Sequence, residues 1–345
     1  MEVRDFDYEL PVSAIAQAPA ETRDGSRLLV IDRAGRTLAD HRFGELPDLL
    51  RPGDCLVVNN SRVIPARVLA HDAAGRPVEL LFVEPVTSEG RRWRALVRPG
   101  RRCRPGAELR AGDDDVRFRV TGVEPDGTRV VERVDGEVLE ALERHGLPPL
   151  PPYIAHHAKP GADDRERYQT VYASSPGSVA APTAGLHFTP AVLDRMRARG
   201  VEVHALTLHV GPATFRPIKT TRVEDHLLSS ERVTIAHAVA AAVSAARAEG
   251  RRVVAVGTTT VRALESAAGG DGAVRAMDGR ADIFIVPGYH FKVVDAFLTN
   301  FHLPRSSLLV LVSAFAGRDL ILDAYHYALA ANYRFYSYGD ATLIV

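Results

Sequence analysis

The stretch DCLVVNNS, residues 54–61, gives way after a single residue to VIPARVLAH, residues 63–71, and the reading of that junction decides the fold. The first segment is a continuous apolar run, which marks a strand buried on both faces, as parallel sheets produce. The second opens a series of short alternating segments, PVELLFVEP, RRWRALV, DVRFRVTG and TRVVERV, separated by Gly, Pro and Asp clusters. Such a texture, lasting to Val134, predicts an all-β module. A helical pattern, GEVLEALERHG, closes it, and Pro148, Pro149, Pro151 and Pro152 form a stiff connector that cannot continue a helix.

Working outward, RLLVID (27–32) predicts a strand ahead of the junction. Beyond the connector the period switches to alternating strands and helices. SVAAP and VEVHALTLHV read as strands flanking a helix entered through Thr189 and Pro190. An Ala-rich helix ends at Gly250 and is followed by RRVVAVG, a helix in TVRALESAA, a strand over ADIFIVPGY (281–289) and a strand in KVVDAFLTNF. Two further helices and a final ATLIV strand complete the chain. α/β material lies on both sides of the all-β module, so the expected architecture is a discontinuous α/β domain, residues 1–62 and 153–345, carrying an inserted β-barrel at 63–152. Closing the barrel removes its exposed edges.

With 345 residues, 46% of them hydrophobic, the chain can fill two cores. Lys+Arg 43 balances Asp+Glu 43, so any nucleic-acid site must be a local patch. Cys55 and Cys103 are too few for a disulfide framework and lack the pairing of a thiolate zinc site, which suits a reducing cytoplasm. No apolar run approaches the length of a membrane span, no signal peptide opens the chain, and no segment repeats at a fixed period. No membrane partner is expected.

Four groups of residues could carry chemistry. In VVAVGTTTVRALES (253–266) a buried strand runs through Gly257, Thr258 and Thr259 into a helix bearing Arg262 and Glu265. Either this helix start holds an anion, with Arg262 as a bidentate partner, or Thr258 caps the helix and Arg262 pairs with Glu265 on a solvated face. PTAGLHF (182–188) and LHVGPATF (208–215) place Thr183, His187 and His209 in loops that could wall a cleft, with the histidines as acid, base or local hydrogen-bonders. TNFHLPRSS (299–307) and YRFYSYGDA (333–341) are rich in aromatics, which either pack the last strand or stack on a purine. They add Asn300, His302, Arg334, Tyr338 and Asp340, and Lys292 lies close in sequence. RRWRALVRPGRRCR (91–104) holds Arg91, Arg92, Arg98, Arg101 and Arg102 without a carboxylate, either a solubilising strand face or a phosphate-binding patch. Metal is not expected, because Asp225, His226 and Glu231 lack a compact ligand spacing with the other histidines.

Taken together, SRLLVID, GDCLVVNNSRVIPAR, LPPYI, RYQTVYASSPGSVAAPTAGLHFT, LHVGPATFRPI, VGTTTVRALES, PGYHFKVVDAFLTNFHLPRSSLLVLVSAFAG and YRFYSYGDA closely resemble the S-adenosylmethionine:tRNA ribosyltransferase-isomerase family of queuosine biosynthesis. The resemblance spans nearly the whole chain and is weakest in the β-rich insert and at 267–280. It implies a transferase that moves the ribosyl part of S-adenosylmethionine to a 7-aminomethyl-7-deazaguanine at the tRNA wobble position, giving epoxyqueuosine with release of adenine and methionine. S-adenosylmethionine is then a consumed co-substrate, with no permanently bound cofactor and no metal. The sulfonium acidifies the ribose C5′ hydrogens for a protein base, and an acid assists adenine departure.

On this reading His187, His209, His302 and Asp340 are the candidate acid and base groups. Arg27, Asn60, Arg62, Thr183, Gly257, Thr258, Thr259, Arg262, Glu265, Lys292, Asn300, Arg334 and Tyr338 are candidate substrate contacts, and Arg91, Arg92, Arg98, Arg101 and Arg102 candidate tRNA contacts. The enzyme is expected to act as a cytoplasmic monomer on an extruded anticodon base. An S-adenosylmethionine-dependent RNA methyltransferase is an alternative, although VVNNSR lacks the Gly-rich loop it calls for. A non-catalytic RNA-binding module is another, although it leaves the α/β loops without work.

Overall fold

A computed structural model describes residues 1–112, 115–161, 163–212 and 217–345. The chain groups into two compact units, one of Met1–Ser61, Thr170–Ser175 and Ala181–Val345, the other of Arg62–Gln169 and Pro176–Ala180. The second grouping runs past the proline connector because Arg67 donates to the carbonyls of His157 and Ala158, and Val63 exchanges two hydrogen bonds with the Gln169 amide.

The strands of the larger unit are β1 (Arg27–Asp32), β2 (Thr37–Arg42) and β3 (Cys55–Asn59), then β12 (Glu202–Leu208), β13 (Glu231–Ile235), β14 (Val253–Val256), β15 (Met277–Ala281), β16 (Ala296–Asn300) and β17 (Ala341–Ile344). They form one sheet in the order β15-β13-β12-β3-β14-β16-β17-β1-β2. β12, β3, β14 and β16 are mutually parallel, whereas β17 runs against β16 and with β1. Every residue of β3, β14, β16 and β17 is buried, as their continuous apolar runs require.

Helices α1 (Leu46–Leu49), α4 (Pro190–Ala198), α5 (His237–Ala248), α6 (Thr258–Ala267), α7 (Ser307–Ala316) and α8 (Arg318–Ala330) belong to this unit. The side chains of Thr189 and Ser306 cap α4 and α7 by accepting the amides of Val192 and Leu309. Phe43, Leu46, Phe188, Val192, Leu193 and Met196 pack on Leu56, Val58, Val254, Val256 and Leu298 to fill one face of the sheet. Among the described residues no helix is long and apolar enough to cross a membrane.

In the second unit β5 (Arg67–Asp72), β6 (Pro77–Pro85), β7 (Arg92–Arg98), β8 (Glu108–Ala111), β9 (Val116–Val123) and β10 (Arg129–Arg133) close an antiparallel barrel in the order β10-β7-β6-β5-β8-β9. Bulges at Phe82/Glu84 and Val130/Val131 bend its strands. Alternation puts Phe82, Trp93, Phe118 and Val131 inside, and α2 (Val138–His145) adds Val138, Ala141 and Leu142 to the same core. A short α3 (Asp164–Arg167) and a two-stranded ribbon of β4 (Ser61–Val63) with β11 (Ser175–Ser178) complete the elements.

Two strand expectations shift. The strand near ADIFIVPGY lies at Met277–Ala281 rather than 281–289: it ends with Ala281 opposite Glu231, beyond it the Ile283 carbonyl accepts from Arg262, and Pro287-Gly288 follows. The strand placed at SVAAP lies earlier, at Ser175–Ser178, and PTAGLHF contains a 3₁₀ turn, Thr183–His187.

Candidate active site

The parallel strands β12, β3, β14 and β16 end at one edge of the sheet, where the oppositely directed β17 and β1 begin. Asn59, His209, Gly257 and Asn300 therefore share that edge with Ser26, Arg27 and Asp340. Open α/β sheets bind ligands at such an edge, where strand order leaves loops diverging.

A polar chain runs along it. Thr183 Oγ1 donates to Asn300 Oδ1 at 3.1 Å, Asn300 Nδ2 lies 3.1 Å from His187 Nε2, and His187 Nδ1 lies 2.8 Å from Ser26 Oγ. His187 is buried against the Phe43 ring, with centroids 5.1 Å apart. Burial first, then the Arg334 charge, pushes its pKa down to about 3. Both Asp340 oxygens are occupied, Oδ1 by the Arg27 amide at 2.9 Å and Oδ2 by the Arg334 amide at 2.8 Å. The Arg334 guanidinium, partly exposed, lies 3.9 Å from Asp340. The Arg27 guanidinium is committed elsewhere, donating to Ala331 O and Asp40 and lying 3.6 Å from the Tyr333 ring centroid.

On β16's exit, His302 Nε2 pairs with Thr299 Oγ1 at 3.1 Å, while Tyr8 and Tyr325 hold its backbone carbonyl and amide. Burial takes its pKa down to about 3. His209, after β12, has a buried Nδ1 with no partner among the described residues, and burial, reinforced by Arg232, lowers its pKa to about 4. Part of the associated motif, Ala213 to Arg216, lies outside the described residues.

At the α6 entry Gly257 has φ +86°, a region that favours glycine, and its amide donates to Leu298 O at 2.8 Å. Thr260, rather than Thr258, bonds back to the strand, at Val256 O. Thr259 Oγ1 receives the amide of Asn59, a residue missing from the sequence reading. Asn59 also exchanges hydrogen bonds with both the amide and carbonyl of Leu208, whereas Asn60 accepts from Thr207 Oγ1. Its signal was present: a polar side chain ending a buried apolar run needs partners on every side.

Several candidates face inward. Arg262 is an ion-pair partner of Glu231, not of Glu265, and also donates to Ala281 O and Ile283 O. Glu265 accepts from Tyr289 OH and the amides of Lys292, Val293 and Val294 at 2.9–3.1 Å. Neither the solvated pair nor a free anion-binding guanidinium describes this arrangement. Lys292 is exposed, Tyr338 is buried, and Phe301, Tyr333 and Phe335 are buried against one another, with Phe301 and Phe335 stacked at 4.6 Å. Those aromatic faces pack the sheet.

In the smaller unit Arg62 is exposed, 3.9 Å from Glu143. Arg91 donates to Val134 O and Arg102 to Pro77 O, while Arg92, Arg98 and Arg101 are exposed with no carboxylate partner among the described residues.

The sequence profile of the family described as queuosine biosynthesis protein matches residues 3–344. The chain belongs to that family. Proteins named S-adenosylmethionine:tRNA ribosyltransferase-isomerase from Moorella thermoacetica and Symbiobacterium thermophilum are 53% and 50% identical to it, each comparison covering 100% of both chains. A crystal structure titled S-adenosylmethionine tRNA ribosyltransferase, from Thermotoga maritima, is 36% identical, covers 99% of this chain and 100% of its own, and superposes with a TM-score of 0.56. For this queuosine biosynthesis family member the strand-end edge is the candidate site.

Two outcomes follow from its buried charges and histidines. Arg262→Ala takes the guanidinium away from the buried Glu231 carboxylate, and should cost about 3–5 kcal/mol of stability. An Arg262→Met, Glu231→Leu double variant should recover most of it; equal stability of wild type and Arg262→Ala in urea melts would disprove the pairing. The second concerns pH. His187, His209 and His302 are depressed in the folded state, while an unfolded imidazole titrates near ~6.5. Below that pH the unfolded chain gains protons that the folded chain refuses, so their contribution is complete above about pH 6.5 and is lost as pH falls toward 4. Urea midpoints should fall over this window, and His302→Gln should make the fall shallower.

Proposed function

We propose that this chain transfers and isomerises the ribosyl group of S-adenosylmethionine onto the 7-aminomethyl-7-deazaguanine at a tRNA wobble position, yielding epoxyqueuosine-tRNA, adenine and methionine. It is a ribosyl-transferring enzyme of queuosine biosynthesis; the observation that carries this is its full-length likeness to the Moorella protein bearing that name. The sheet edge supports the reading because it gathers neutral imidazoles, hydroxyls and amides where a small polar substrate enters.

His209 and His302 are the acid–base groups in this reading. Each stays neutral at physiological pH, and each keeps a ring nitrogen without a hydrogen bond among the described residues. One removes the proton from C5′ that the sulfonium acidifies, and the other gives an N–H hydrogen bond to the departing adenine, which takes up the proton shed by the aminomethyl nitrogen. The C5′–S and glycosidic bonds break, releasing methionine and adenine; the aminomethyl nitrogen bonds to C1′ and gives up a proton, C5′ closes onto C1′, and the ring oxygen passes from C1′ to C5′ to form the epoxide. Asn60, Thr183, Thr258, Thr259, Asn300 and Tyr338 offer polar contacts, and Arg334 and Lys292 offer positive charge to the methionine carboxylate. Arg27, Arg262, Glu265 and Asp340 support the site through the bonds already described, and Gly257 shapes its turn.

Arg62 and the barrel arginines 91, 92, 98, 101 and 102 serve the tRNA backbone. Buried free thiols at Cys55 and Cys103 suit a reducing cytoplasm, where the chain acts as a monomer.

Incubation with S-adenosylmethionine and the modified tRNA should release adenine and methionine in equal amounts, because both bonds must break. S-adenosylhomocysteine as the main product in chromatography would replace this reading with methyl transfer.

The phosphate contacts make a separate expectation. Replacing Arg92, Arg98 and Arg101 by Ala should weaken tRNA binding and flatten the slope of log affinity against log salt by roughly one unit per lost phosphate. S-adenosylmethionine affinity should stay unchanged. Equal slopes for wild type and variant would return these arginines to a solubilising role.

A further inference from the structure

The polar chain at the sheet edge has a direction that can be read from its acceptors. Asn300 Nδ2 also faces the backbone carbonyl of Asp340, at 3.5 Å, and a carbonyl can only accept. The opposite amide atom, Oδ1, takes the Thr183 hydroxyl proton. The amide therefore presents N–H to His187, and His187 Nε2 must be the acceptor. A neutral imidazole carries one proton, so it sits on Nδ1 and is donated to Ser26 Oγ.

The imidazole is kept neutral by its surroundings. Burial under the Phe43 ring and then the Arg334 charge oppose a positive ring and outweigh the Arg23 backbone, which favours one, while the Asp340 carboxylate is turned to the Arg27 and Arg334 amides. Ser26 Oγ, buried at the start of β1, thus receives a proton from His187. Its own hydroxyl proton has no acceptor among the described residues. A buried donor at a ligand-binding edge calls for an acceptor supplied by the ligand.

We propose that Ser26 donates a hydrogen bond to S-adenosylmethionine, and that His187 is the positioning residue that fixes it as a donor, through a tautomer set by Asn300 and Thr183. This rests on the ribosyl-transfer reading for the identity of the ligand. It gives His187 a role in which neither nitrogen exchanges a proton during turnover.

Two measurements on the full-length protein test it. With ¹⁵N-histidine labelling, long-range proton–nitrogen spectra should show His187 with Nδ1 protonated and Nε2 bare from pH 5.5 to 8, the resonances being assigned by their loss in His187→Gln. In Asn300→Asp the carboxylate can only accept, and the proton should move to Nε2. By calorimetry, Ser26→Ala should bind S-adenosylmethionine about tenfold more weakly than wild type, Ser26→Thr should restore most of the affinity, and Asn300→Asp should lose a similar amount because Ser26 must then donate to Nδ1. An Nε2-protonated or charged His187 in the wild type, or wild-type affinity in Ser26→Ala, overturns the proposal. Failure of the wild type to release adenine would instead overturn the ribosyl-transfer reading, since tautomer and affinity are measured without turnover.

Discussion

The larger unit depends on one carboxamide. Asn59 ends the central strand, and its side chain behaves toward Leu208 as a backbone residue would, giving an N–H to the carbonyl and taking the amide's proton. Its remaining capacity goes to the Ser61 amide and the Thr259 hydroxyl. Four bonds to a single buried amide tie the exits of β3 and β12 to the first turn of α6. An apolar side chain there would leave the Leu208 groups unpaired in the interior, each a cost of about 1–3 kcal/mol. A flat, predictable sheet edge thereby becomes a set of loops with fixed starting points, and His209 and Gly257 inherit their positions from it.

Elsewhere charge is used to replace secondary structure. Residues 282–295 form no strand or helix, yet the segment is held, because Glu265 satisfies three successive backbone amides and a phenol while Arg262 satisfies the Ile283 carbonyl and that of Ala281, where β15 ends. Backbone groups that would otherwise pair in a ladder are served by α6 side chains. This explains why Arg262 and Glu265, three residues apart on one helix, do not pair with each other: each is aimed at a different part of the same irregular segment.

The strands that were legible in the sequence are those whose burial is one-sided or complete. RLLVID matches β1, PVELLFVEP matches β6 end for end, and the unbroken run of CLVVN marks an interior strand. TLADHR, the exposed edge strand β2, passed unnoticed because polar residues interrupt its pattern, and ERVTI, β13, because a five-residue alternation opened by a buried glutamate is too short to stand out. At the site, sequence order brought out His187, Asn300 and Asp340 as isolated candidates; that they form one hydrogen-bonded cluster depends on contacts between residues 113 and 40 positions apart. Ser26 and Glu231 carried no local signal, since a serine before a strand and a glutamate starting one are ordinary. The aromatic segment was ambiguous for a physical reason, as stacking faces and core faces have the same composition until burial is known.

The position of β17 carries a consequence for how the molecule is made. It lies inside the sheet, between β16 and β1, so the hairpin of β1 and β2 has no place to dock until residues 341–344 exist. On the ribosome the earliest strands must wait, exposed, through the synthesis of nearly the entire polypeptide. The barrel, whose strands follow one another within a short span, can condense long before. The larger sheet instead closes in a late event that joins β1 to β17, and the Asp340 carboxylate that grips the Arg27 amide arrives in that same moment. The candidate edge is thus assembled together with this closure.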